Sequence, residues 1–122
     1  MRDSVIARLS QLAFWLPLAI ATFAAFAPKG VPLPFRTTDV TLHMFAFTYL
    51  TAALGNAYFP LSRWWIPALW MLAYGVMLEV VQQFLPPRTA ELKDIVVDVA
   101  GIALGLLVWR FAVAPLVSRL QP

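Results

Sequence analysis

Cysteine is absent from the 122-residue chain. This excludes disulfides and thiolate metal sites and leaves the redox compartment undetermined. Charge is also scarce. Only 12% of residues are Asp, Glu, Lys or Arg, about half the ~25% of an average soluble domain. Such a chain has too little polar surface to coat a globule, so a bilayer is its expected solvent. Basic residues form no cluster with interleaved aromatics, and the net charge is only +3, so nucleic acid is not an expected partner. No internal repeat or low-complexity segment is present. The length fits one domain, residues 1–122, and not two.

What fills the chain is apolar sequence: 61% of residues are hydrophobic and the mean hydropathy is +0.78. Four runs, residues 9–27, 40–59, 64–85 and 95–113, each approach the ~20 residues a helix needs to cross ~30 Å of hydrocarbon. Unsatisfied backbone groups are too costly in lipid, so each run is expected to be helical. The predicted fold is all-α, an integral membrane bundle of four transmembrane helices. PKGVPLPFRTTD separates the first two runs and should be extended, PLSR is short enough to force a hairpin, and PPRTAELKD links the last two. Pro67 falls in a first helical turn, whereas Pro17 lies mid-span and should kink the first helix.

Arg2 and Arg8 before an apolar run ending Ala25-Phe26-Ala27 also fit a secretory signal. Retention as a first span is the stronger expectation. The run exceeds the ~7–15 residues of a signal core, and Pro28 would follow the cut. With four spans, Arg2, Arg8, Arg63, Arg110 and Arg119 share one side, and Lys29, Arg36, Arg88 and Lys93 the other. This five-to-four count points to cytoplasmic termini in a multi-pass membrane protein.

The acids are more lopsided than the bases. Asp3 is alone on the terminal side, while Asp39, Glu79, Glu91, Asp94 and Asp98 belong to the other. At ~1.5 Å per residue, Glu79 lies roughly 9 Å inside its end of span three, and Asp98 and His43 roughly 6 Å inside theirs. Three helices thereby place polar groups in one shallow layer. Asp39 and His43 are four apart, and Glu79 reaches Gln82 and Gln83 on one face. Asp94, Asp98, Gly101 and Gly105 fall within about 60° of one another on span four, so an acidic stripe runs into a GxxxG stripe.

His43, Asp39, Glu79 and Asp98 are the candidate catalytic residues. Arg88, Lys93, Gln82 and Asp94 are the candidate substrate contacts, and Gly101 and Gly105 serve helix packing. Plainer roles stand beside these. Asp39 and Asp94 are suitable N-cap or first-turn acids, Gln83 an interface residue, and Arg110 a snorkelling anchor. Trp64, Trp65 and Tyr58 suit the membrane interface better than a ligand cage. GxxxG serves intramolecular packing as well as self-association, so a homo-oligomer is a candidate assembly. The polar layer as a whole fits interhelical glue or a functional site, since ionisable groups inside a membrane are costly and usually functional.

The ordered motif Asp39-Val-Thr-Leu-His43, then Glu79-Val-Val-Gln82-Gln-Phe84-Leu-Pro86-Pro-Arg88, then Asp94, Asp98, Gly101 and Gly105, resembles the VanZ-like membrane proteins. That family is named after an accessory protein of teicoplanin resistance. Two positions depart from its pattern: Val40 stands where a lysine is usual, and Asp98 where asparagine is usual. Both changes make the polar layer more acidic. The resemblance implies an envelope-linked membrane protein that influences glycopeptide susceptibility, and it leaves open whether the protein is an enzyme.

Three functions follow as expectations. In the first, Arg88 and Lys93 hold an anionic envelope lipid or cell-wall precursor. His43 acts as general base with Asp39 fixing its tautomer, and Glu79 and Asp98 supply an acid. No cofactor or metal is expected, although the oxygen ligands with one His would suit Mg²⁺ or Mn²⁺ if a divalent cation were bound. The second is a small oligomeric proton-coupled transporter. The third is a non-catalytic membrane scaffold. The lipid bilayer is the partner in every case.

Overall fold

A computed structural model describes residues 5–26, 40–84 and 92–120, except for the side chains of Leu92 and Lys93. Four helices make up most of it: α1 (Val5–Phe26), α2 (Val40–Tyr58), α3 (Trp65–Gln82) and α4 (Leu92–Val108). A 3₁₀ turn at Leu61–Arg63 joins α2 to α3. After α4 the helix widens into a π-type turn over Trp109–Val113 and ends in α5 (Ala114–Leu120). No strand occurs among the described residues, so the fold is all-α. The helix bounds differ from the predicted spans at both ends of the chain. The first helix starts at Val5 rather than Leu9, and the last continues to Leu120 rather than stopping at Val113. PKGVPLPFRTTD and most of PPRTAELKD lie outside the described residues.

Three stretches, Val5–Phe26, Trp65–Gln82 and Asp94–Leu120, are long and apolar enough to cross a bilayer. The fourth helix differs. α2 has 19 residues, about 28 Å at ~1.5 Å per residue, but Thr41, His43, Thr48, Thr51 and Asn56 reduce its hydropathy. Its place in the bundle explains this. α2 packs along α4 and α1 and buries Phe47, Leu50, Thr51, Ala52, Leu54 and Ala57, so Thr51 and much of His43, Thr48 and Asn56 meet protein rather than lipid. The outer helices do the reverse and expose Phe23, Trp70, Leu107 and Phe111. In water such a surface would drive association; against acyl chains it is the natural exterior of a membrane protein.

Residue pairing sets the directions. Asn56 donates from Nδ2 to Ser10 Oγ at 3.2 Å and Tyr49 reaches the Ala13 carbonyl, so α1 and α2 are antiparallel. α2 and α4 run parallel, held by glycine. A Cβ on Gly101 would lie 2.8 Å from Phe47 Cβ and 2.9 Å from the Met44 carbonyl oxygen. One on Gly105 would lie 2.6 Å from the Thr48 carbonyl oxygen. Thr48 Oγ1 donates to its own helix at Met44 O (2.8 Å) and across the seam to Gly101 O (3.2 Å). The GxxxG stripe is thereby used within the chain. At the far end of the seam Gly55 admits the ring of Trp109, which is buried against it.

Pro17 sits inside α1 and has no amide hydrogen for the Ala13 carbonyl one turn earlier. α2 supplies the missing donor: the Tyr49 hydroxyl donates to Ala13 O at 2.5 Å. Tyr49→Phe should therefore destabilise the fold by about 1 kcal/mol, within the ~0.6–1.7 kcal/mol measured for hydrogen bonds inside membranes. In a Pro17→Ala background the restored amide should make the same change nearly silent. Reversible unfolding in mixed micelles measures both, and an equal loss in the two backgrounds would contradict the repair.

Candidate functional site

The polar layer forms where α1 and α3 end and α2 and α4 begin. Asp98 is its centre. It lies one turn after Asp94 on α4, and α4's glycine face brings it against α2. There its Oδ1 accepts a hydrogen bond from His43 Nε2, forming an ion pair when the imidazole is protonated. On its other side Oδ2 occupies the space that a side chain at position 75 would need, so Gly75 lets α3 close over the carboxylate. Three helices thus meet on one acid that is only 1% exposed.

His43 is oriented by more than Asp98. Its ring stacks on Phe47 with centroids 5.1 Å apart and planes 10° from parallel. Phe47 in turn lies 5.9 Å from the Tyr74 ring. The Thr22 hydroxyl donates to Leu18 O at 2.7 Å. Its oxygen is therefore left to accept from Tyr74 OH at 2.6 Å. This chain of contacts links α1, α3, α2 and α4 around the imidazole. His43 keeps 20% of its side chain accessible, and Nδ1 is the ring nitrogen that Asp98 does not engage.

Glu79 follows Gly75 by one turn on α3 and is buried, 5% exposed. Glu79 and Asp94 both lie within electrostatic reach of His43. Asp94 occupies the first turn of α4, which begins at Leu92, so it is a first-turn acid rather than the N-cap. Gln82 donates from Nε2 to Ala25 O at 2.9 Å and so satisfies a carbonyl in the last turn of α1. One of its two amide hydrogens is thereby committed to structure.

Asp39 and Arg88 lie outside the described residues, as does the side chain of Lys93. The expectation that Asp39 orients the imidazole therefore lies outside the described residues; the carboxylate seen on the ring is Asp98, at Nε2. Among the described residues no three of His, Asp and Glu group as ligands for a metal ion.

Gly75, Tyr74, Phe47 and Thr22 do not stand out in the sequence as site residues. Gly75 had a detectable signal, since it lies four residues before Glu79 and so on the same helical face. Tyr74 and Thr22 had none, because their pairing joins helices 52 residues apart.

Chemically, the pair resembles the carboxylate–imidazole unit of general acid–base sites. Asp98 accepting from Nε2–H fixes the tautomer with the Nδ1 lone pair available. The carboxylate then stabilises the imidazolium that forms when Nδ1 takes a proton.

An uncharacterized protein of the fission yeast Schizosaccharomyces pombe is 38% identical over 98 residues, covering 77% of this chain and 58% of that protein. The chain therefore spans a little over half the length of this curated relative. No solved structure matches. Residues 4–113, nearly the whole chain and all of the polar layer, match the VanZ/LLP1 family; this helical membrane protein belongs to it.

Proposed function

We propose that the polar layer binds the anionic headgroup of an envelope lipid or cell-wall precursor, with His43 as the proton-handling group and Asp98 as its positioning partner. The observation that carries this reading is the buried carboxylate of Asp98 on an imidazole that keeps an accessible edge. Ionisable groups inside a membrane cost about 2.5–3.5 kcal/mol at its centre and usually mark function. A structural contact alone would need neither the charge nor the exposed edge.

Arg88 and Lys93 are the cations assigned to the headgroup, Glu79 and Asp94 set the field around His43, and Asp39 is a second acid for the same ring. All four helices cross a bacterial plasma membrane in this reading, as one domain with cytoplasmic termini and the polar layer towards the outer face. Capture of a cell-wall precursor there would alter susceptibility to glycopeptides.

Binding of anionic lipids to the purified protein in nanodiscs tests the assignment. His43→Ala and Arg88→Ala should each weaken binding of a phosphatidylglycerol or polyprenyl-phosphate probe at least tenfold, with little change for phosphatidylcholine. Equal affinities for the variants and the unaltered protein would overturn it.

A second reading rests on the same pair. His43 and Asp98 satisfy each other, as a lock between α2 and α4 would require. In that case their joint replacement by apolar residues leaves every function intact.

A further inference from the structure

We infer that the outward face of α1 is a seat for one acyl chain of a bilayer phospholipid, whose headgroup the polar layer holds. The inference rests on the lipid-binding reading above and extends it from headgroup to chain. A groove of about 510 Å³ follows α1 from Trp15 to Phe26, with Leu18, Ala19, Thr22 and Phe23 between them. Its size falls within the ~300–1,000 Å³ typical of small-ligand sites.

Its shape comes from the sequence. Ala19 and Thr22 are small residues at the middle of the face, and Trp15 and the two phenylalanines are large ones around them. The walls are held in place. Trp15 Nε1–H donates to Tyr58 OH at 2.7 Å, which anchors the lower wall to α2. Thr22 is fixed by Tyr74 of α3, so the groove borders the seam between α1 and α3.

Two observations point to lipid rather than another helix. First, the groove lies on a stretch long and apolar enough to span the bilayer, with Trp15 52% and Phe23 66% exposed, so hydrocarbon is the medium it opens to. Second, its upper end reaches the level of the polar layer. Its upper end, Phe26, adjoins Ala25, whose carbonyl is bonded to Gln82, one turn from the buried Glu79. From Trp15 to Phe26 the helix rises roughly 16 Å, a length that runs from the polar layer to about mid-bilayer. A chain seated there would carry its headgroup to the level of His43.

Photo-crosslinking tests this with the full chain in nanodiscs containing phosphatidylglycerol or phosphatidylcholine that bears a diazirine along one acyl chain. Mapped adducts should concentrate at least fivefold on Trp15, Ala19 and Phe23 over the lipid-facing residues Leu104, Leu107 and Phe111 of the last helix. Ala19→Phe, which fills the groove, should abolish the enrichment. Phe23→Ala removes an exposed wall at small cost to folding and should reduce the enrichment severalfold, so a folding defect in the first variant does not decide the outcome.

Even labelling of all lipid-facing surfaces overturns the inference. So does a disulfide-linked dimer formed by Ala19→Cys in a chain that has no other cysteine, which would assign the face to a second copy. Enrichment that is equal for both lipids and unaffected by His43→Ala would keep the acyl seat and remove the anionic headgroup reading, so the two fail separately.

Discussion

Replacing Asp98 with alanine should destabilise the protein by about 3 kcal/mol, the combined cost of a lost buried hydrogen bond to a carboxylate and of the cavity left behind. The magnitude follows from its place. The carboxylate is almost fully buried between the His43 imidazole and Gly75. Its loss opens a cavity and leaves the Nε2–H donor of His43 without an acceptor in a medium that supplies none.

Asp98→Asn should cost only about 1 kcal/mol, because the amide oxygen still accepts that hydrogen bond. The double variant His43→Phe/Asp98→Ala should recover roughly half of the alanine loss. Phenylalanine keeps the stack on Phe47, and no polar group is stranded. Unfolding in mixed micelles reads all three stabilities. The same double variant separates the two functional readings: a refolded protein that still binds anionic lipid would make the pair a lock and nothing more. An unchanged stability for Asp98→Ala would show that the carboxylate is not a buried link at all.

Gly105→Ala should cost about 2 kcal/mol. The added methyl would lie 2.6 Å from the Thr48 carbonyl oxygen and 2.7 Å from Thr51 Cβ. The first of these is backbone and cannot rotate away, so α2 and α4 must separate. Overpacking of this kind costs about 1–3 kcal/mol. The upper end applies here, offset by the ~1 kcal/mol that alanine gains over glycine in helix propensity.

Gly55→Ala differs in kind, because its methyl meets the ring of Trp109; Trp109→Leu should partly relieve it. Since Gly105 packs within the chain, the variant should lose stability without changing its oligomeric state. An oligomer that dissociates while the monomer stays fully stable would place the glycine seam between chains instead.

Much of this arrangement is written locally. Hydropathy and proline positions located four helices, because in lipid the backbone has few alternatives to helix. Helical periodicity placed His43, Glu79 and Asp98 at one level and put Gly101 and Gly105 on the acidic face. The predicted last span stops at Val113, while the helix continues to Leu120 through Pro115, a residue that locally reads as a helix end; both contain Arg110. Its hydrocarbon stem and the exposed Phe111 ring 5.5 Å away are compatible with a continuing helix.

From its own residues the chain determined its solvent, its helices and the depth of its polar groups, each a matter of composition or of spacing within one element. Only the tertiary structure decided that Asp98 takes His43, that Gly75 closes over the acid and that Gln82 caps α1. It alone decided that Tyr49 repairs the break at Pro17. Those pairings join residues from 23 to 57 positions apart, and helical periodicity fixes the face a side chain leaves from, not the helix it meets. The partner depends on which helices lie side by side, and that is set by the close approach glycine permits and by the need to satisfy every polar group away from water.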